Sequence, residues 1–319
     1  MLEVELDIFS GMPNPTWILS KSQEGTLYEL LNAETRQISP LVKEDDLYGL
    51  GYRGLIVRRI KTDDGKWDQA MSGRRTPFPN EFRVGRTKPK KDSAADWLVK
   101  TAARQNARLD DEIMEVVKKG VVVVPRAKGP IDPSAKIDPK LIEKAEVAAD
   151  VPYKLTSKDH ETWWACGSNY FSANANYFND PAHVTRNNCY CFASNHMPDI
   201  RYAKPGVRGG HPAPSITCAG CVEGLRADGW RDGCQPTGLT IVMVMWPNHD
   251  YHFYRLVTGG PYWWWGHKPG GTPAKYTDDC GHAIYQFQGQ GYAPNNICRG
   301  PYTDFCGYFY QNNWTAFVA

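Results

Sequence analysis

Three short stretches carry the residue types that amide chemistry needs. The first is Arg186-Asn187-Asn188-Cys189-Tyr190-Cys191-Phe192-Ala193. Either asparagine suits a helix N-cap. A cysteine in the first turn then meets the positive end of the helix dipole, which favours the thiolate and lowers its pKa. Cys189 is therefore the expected nucleophile. The second stretch runs through two apolar segments joined by Pro247-Asn248-His249-Asp250, a hairpin pattern. His252 falls at the start of its second strand, where it can point into a cleft and act as the base. The third, Tyr262-Trp263-Trp264-Trp265-Gly266-His267-Lys268-Pro269-Gly270-Gly271, reads as a further strand that ends in a glycine-rich loop. His267 follows His252 by fifteen residues. A short connection at Gly259-Gly260 sets the two strands side by side and the two histidines on neighbouring positions.

In this arrangement the Cys189 thiolate attacks a carbonyl carbon. His252 takes the thiol proton and later protonates the leaving amine, while His267 orients His252. The backbone N–H of Cys189, with a side-chain donor from Asn187, Asn188 or Tyr177, forms the oxyanion hole, and water resolves the thioester. Alternation along the Trp263-Trp264-Trp265 strand leaves at least one tryptophan exposed, and Trp263 and Trp265 are the expected substrate platform for a sugar or peptide. Asp250, Asp278 and Asp279 are alternative third members. The structural readings stand beside these: Cys189 as a disulfide partner, Cys191 as the free thiol, both histidines as packing residues, the tryptophans as core.

The elements that must position these residues fall in two unlike halves. All nine cysteines lie between Cys166 and Cys306, and all eight histidines between His160 and His282. Residues 1–150 carry 25 of the 37 basic and 24 of the 35 acidic residues. The pattern predicts an α+β fold in two domains: residues 1–125 as a small α+β accessory or targeting domain, 126–153 as a proline-rich linker with a short helix over 139–149, and 154–319 as a catalytic-type domain with an antiparallel sheet. In the first domain, residues 2–8 alternate as a half-buried strand and 16–19 form a second. Residues 22–32 suit a helix capped by Ser22, and 51–60 a strand. Residues 93–119 suit a helix capped by Ser93 that breaks near 106–110. Arg83, Arg86, Lys88, Lys90 and Lys91 form a basic stripe on a solvated loop.

Nine is an odd number of cysteines, so at least one is left over from any set of intrachain bridges. Eight structural cysteines and one nucleophile is the economical reading. Cys218-Ala-Gly-Cys221 supplies two separate disulfide partners at a helix over 219–228. Zinc held by Cys218, Cys221, Cys189, Cys191 and His196 is disfavoured by irregular spacing. His249, His252, His267 and Asp250 offer a weaker metal reading. No metal site and no cofactor is expected. The net charge of +2 argues against nucleic acid as the main partner, and no apolar run approaches the roughly 18 residues of a membrane span. The N-terminus lacks the basic and apolar regions of a secretory signal, yet the cysteine density fits an oxidising compartment. The chain is expected to be extracellular or exported by a route without a visible signal peptide, with an already processed form and a reduced cytosolic protein as the alternatives.

The order of a helix-borne Cys189, a strand-borne His252 and a polar His267 on the next strand resembles the papain-like fold of the NlpC/P60 and CHAP cysteine peptidases and amidases, over roughly residues 160–310. The glycine signature usual after the histidine is absent, since this chain has His252-Phe253-Tyr254-Arg255. The resemblance implies a cysteine hydrolase acting on a peptide, protein or peptidoglycan amide, as a toxin or effector, with residues 1–125 meeting a receptor or carrier. The alternative is a disulfide-stabilised secreted binding or toxin protein without catalysis.

Overall fold

The computed structural model describes residues 1–33, 38–42, 46–60, 78–85, 89–91, 93–104, 109–120, 124–125, 175–232, 238–258, 262–287, 290–291 and 294–319. It combines helices with antiparallel sheets, an α+β chain. The expected linker and its short helix lie outside the described residues. Two compact units emerge: Met1–Ile8 with Pro13–Val123, and Phe9–Met12 with Val124–Ala319. No helix among the described residues is long and apolar enough to cross a membrane.

The first unit contains β1 (Leu2–Leu6), β2 (Thr16–Ile18), β3 (Ile38–Ser39), β4 (Asp46–Leu47), β5 (Leu55–Arg59) and β6 (Glu81–Val84). Five of them form an antiparallel sheet in the order β2-β1-β5-β6-β3. Its helices are α1 (Lys21–Ala33), α2 (Ala94–Arg104) and α3 (Asp111–Lys119). The cap of α1 is Ser20 rather than Ser22. Ser20 Oγ accepts the Gln23 N–H and Gln23 Oε1 accepts the Ser20 N–H, a reciprocal capping box. Ser93 caps α2 as expected, and Asp110 caps α3 by accepting the Ile113 N–H at 2.9 Å.

Strand β1 departs from the half-buried pattern. Leu2, Val4 and Leu6 are buried, but so are Glu5 and Asp7 just beyond it. Cations neutralise the second face. Glu5 pairs with Arg58, while Asp7 meets Arg53 at 2.6 Å and Arg83 at 2.7 Å. Arg83 is thus a buried partner of Asp7 and not part of a solvated stripe; Lys90 and Lys91 are exposed, and residues 86–88 lie outside the described residues.

The second unit contains β7 (Val124–Pro125), α4 (Ala175–Phe178), α5 (Cys189–Ala193), α6 (Cys218–Ala227), β8 (Gly238–Trp246), β9 (Asp250–Thr258), β10 (Tyr262–His267), β11 (Tyr285–Phe287), β12 (Gln290–Gly291) and β13 (Asp304–Asn312). An antiparallel sheet runs β12-β11-β10-β9-β8-β13. Strands β8 and β9 are the expected hairpin, with Val244 opposite His252. Asn248 takes the left-handed backbone in its turn, at φ 62°, a conformation asparagine tolerates. Next to it, β10 sets His267 opposite Tyr254. One face of the sheet packs on α5 and α6 through Met243, Met245, Tyr251, Phe253, Cys189, Phe192 and Leu225. Alternation turns Val244, His252, Tyr254 and His267 to the other face.

Candidate functional site

Helix α5 begins where the sequence predicts. Asn188 Oδ1 accepts the N–H groups of Tyr190 and Cys191 at 3.1 and 3.2 Å. Cys189 then packs inward, fully buried, and its thiol donates a long hydrogen bond to the Tyr251 carbonyl at 3.8 Å. Burial pushes its pKa well above the ordinary thiol value, and the Asp250 charge pushes the same way. The five-residue helix does not offset this, so the expected low-pKa thiolate is not what the environment favours. Cys191 is likewise pushed up, to about 11, by burial.

The two histidines come together as the hairpin spacing predicts. His252 Nε2 lies 2.8 Å from His267 Nδ1, and His267 Nε2 lies 2.9 Å from the Thr277 carbonyl. A carbonyl accepts only, so His267 carries its proton on Nε2, and in the neutral ring Nδ1 accepts from His252 Nε2–H. Burial, then the nearby Lys275 charge, drive the His267 pKa well below its usual value, so the ring is neutral. His252 packs edge-on against Tyr254 and Tyr302, with ring centroids 5.0 and 5.7 Å away.

The third relation fails. Tyr251 and Phe253 belong to the core around Cys189, and Arg255 bonds the Phe192 carbonyl of α5 at 2.7 Å. Odd-numbered residues of β9 therefore face α5. His252 is even-numbered and faces away, toward His267. The expected Cys189–His252 dyad is divided by the strand that carries the histidine.

The supporting residues are committed elsewhere. Asn187 Nδ2 donates to the His183 carbonyl and Asp199, and Asn188 Nδ2 donates to the carbonyls of Ala203 and Gly11. Neither amide is free for an oxyanion. Tyr177 is exposed and stacks on His183. Trp264 joins the core on the α5 face, while Trp265, opposite Leu256 on the other face, packs against Tyr308 and is also fully buried, so it offers a substrate no surface. Trp263 is half-buried. His249 stacks on Trp246 and is held by the Pro247 carbonyl.

Two buried charges organise this unit instead. Asp250 accepts the N–H groups of Ser10, Gly11 and Met12 and the Tyr302 hydroxyl. It ties in Phe9–Met12 through three consecutive backbone N–H groups. Lys268 Nζ donates to the carbonyls of Val184, Asn187 and Gly270 at 2.5–2.7 Å, closing the glycine-rich loop after β10 onto the segment before α5.

The cysteines pair in a way the sequence left open. Cys218 bridges Cys306, and Cys280 bridges Cys298. Cys189, Cys191 and Cys221 are unpaired and buried. The reading of eight structural cysteines and one nucleophile therefore does not hold, and neither does Cys221 as a disulfide partner. Around the Cys280–Cys298 bridge, Asp278, Cys280, His282 and Cys298 place their ligand atoms within 4.8 Å of one another. Sequence reasoning misses this cluster, taking Asp278 only as an alternative third triad member; the spacing Asp278-x-Cys280-x-His282 is the signal that could have found it. Among the described residues, neither the zinc set drawn from Cys218, Cys221, Cys189, Cys191 and His196 nor the hairpin set of His249, His252, His267 and Asp250 forms such a cluster.

No family model matches the chain, and no solved structure matches it. A curated protein does: insoluble matrix shell protein 1 of Ruditapes philippinarum is 38% identical over 128 residues, which make up 39% of this chain and 78% of that protein. With most of the relative matched at that identity, the chain belongs to the family of this insoluble matrix shell protein.

Proposed function

We propose that the chain is an extracellular, disulfide-stapled matrix protein that acts by binding and assembly, without catalysis. One observation carries this reading: the Cys189 thiol is buried on the α5 face of β9 while His252 faces the other way. Other features support it. Two disulfides fit an oxidising compartment. The relative's name describes an insoluble shell matrix. Trp314, exposed to 67%, and Phe317 leave aromatic surface near the C-terminus for contact with other polymers.

The competing reading, a thiol peptidase or amidase of the NlpC/P60 or CHAP type acting on a peptide, protein or peptidoglycan amide, needs the thiol and an imidazole within hydrogen-bond reach. Iodoacetamide labelling of the native, non-reduced protein across pH 5–9 separates the two. The matrix reading expects Cys189 to stay unlabelled until the protein unfolds, and expects the chain to remain in the residue when its source matrix is extracted with salt and detergent. Fast labelling of Cys189 at neutral pH, with hydrolysis of an amide that is lost in Cys189→Ser, would replace it with the hydrolase.

A further inference from the structure

Two sulfurs, one imidazole nitrogen and one carboxylate oxygen converge at Asp278, Cys280, His282 and Cys298, all within 4.8 Å of one another. We propose that this cluster is a redox-gated metal site. When a dithiol reductant opens the Cys280–Cys298 bridge, the two thiolates, His282 and Asp278 take up a zinc ion, and the metal replaces the disulfide as the staple of the same loop.

The donor set suits zinc. Two thiolates, an imidazole and a carboxylate are borderline-soft ligands that favour tetrahedral coordination. Zinc–ligand bonds of about 2.0–2.3 Å place tetrahedral ligands roughly 3.3–3.8 Å apart, so the atoms need to shift only by about the amount side-chain rotation allows. The backbone is held independently of the disulfide. Asp278 accepts the N–H groups of Cys280, His282 and Cys298 at 3.0, 2.8 and 3.1 Å. Cutting the S–S bond leaves these three anchors in place. Access is favourable as well, because Asp278 is buried at the base while His282 and Cys298 are half-buried and Cys280 is exposed. Lys275 Nζ, 3.3 Å from the neighbouring Asp279, adds positive charge beside a site whose three anionic ligands exceed the zinc charge by one.

The chemistry balances. The dithiol transfers two hydrogens to the two sulfurs and leaves as its own disulfide, and zinc then displaces the two thiol protons to water. The proposal stands apart from the matrix reading, since it depends only on this loop.

The test is cobalt titration of the full chain, before and after reduction with dithiothreitol and anaerobic removal of the reductant. Cobalt serves as the spectroscopic stand-in for zinc. The expected result is one equivalent bound only after reduction, with a thiolate-to-cobalt charge-transfer band that zinc abolishes. The band disappears in Cys280→Ser/Cys298→Ser and persists in Cys218→Ser/Cys306→Ser. His282→Gln keeps the disulfide and guards against a folding defect; its reduced form binds cobalt at least about tenfold more weakly. No band after reduction, a band unchanged in Cys280→Ser/Cys298→Ser, or unaltered affinity in His282→Gln overturns the site.

Discussion

Cys189 and His252 lie on opposite faces of β9: the thiol bonds the carbonyl of Tyr251, one residue before the histidine, while the imidazole turns to His267 at 2.8 Å. A strand reverses its side chains at every residue. No rotamer change carries His252 through the sheet, and nothing short of a one-residue slip of β9 would bring the pair together.

His252→Gln should therefore leave the reactivity of Cys189 unchanged. In a Cys–His dyad the same substitution removes the base and slows alkylation by orders of magnitude. Here both proteins should label only at the rate at which the unit opens, and the rate should rise with denaturant. A slower Cys189 reaction in His252→Gln at constant stability would restore the dyad.

The first unit should be acid-sensitive through Asp7. Burial alone would raise its pKa, but Arg53 and Arg83 more than offset this and hold the carboxyl far below its ordinary value. A depressed folded pKa contributes stability that is present above about pH 4 and is lost as the pH falls further. Asp7→Asn leaves two buried guanidinium groups without their counter-charge and should cost about 3–5 kcal/mol. Denaturant unfolding at pH 7 and pH 3 checks both statements: the difference between wild type and variant should shrink at pH 3.

The second unit should respond oppositely through Asp250. Burial raises its pKa to about 6 despite the donors from Tyr302, Ser10, Met12 and Gly11. Between about pH 4 and 6 the folded unit holds a proton that the unfolded chain has released, so this contribution is complete below pH 4 and is lost as the pH rises through 6. The change is on the order of 2–3 kcal/mol. Asp250→Asn should remove this slope from unfolding curves measured over pH 4–7. A slope unchanged in the variant would assign the titration elsewhere.

How much of this was legible beforehand depends on which interactions are local. The β8–β9 hairpin, the start of α5 at Asn188 and the pairing of His252 with His267 follow from turn chemistry and spacing within a few dozen residues. The facing of His252 does not. Tyr251, His252, Phe253 and Tyr254 are all ring-bearing and all buried, so no polar alternation tells which parity meets the helix. Glu5 and Asp7 mislead for a related reason: their cations, Arg58, Arg53 and Arg83, come from 46 to 76 residues further along the chain. The Cys218–Cys306 bridge is long-range in the same sense, and even for Cys280–Cys298, only 18 residues apart, spacing alone leaves the connectivity open.

Those bridges should contribute unequally. Cys218–Cys306 closes 88 residues and Cys280–Cys298 closes 18. The loss of unfolded-chain entropy predicts about 4.5 kcal/mol for the first and about 3 kcal/mol for the second. Cys218 lies at the start of α6 and Cys306 in β13, so the longer bridge also ties a helix to the edge strand of the sheet. Cys218→Ala/Cys306→Ala should therefore lower the unfolding midpoint of the second unit more than Cys280→Ala/Cys298→Ala. The three anchors on Asp278 hold the short loop even when its sulfurs are removed, which narrows the loss there further. Equal losses in the two variants, read by non-reducing denaturant unfolding, would contradict this ordering.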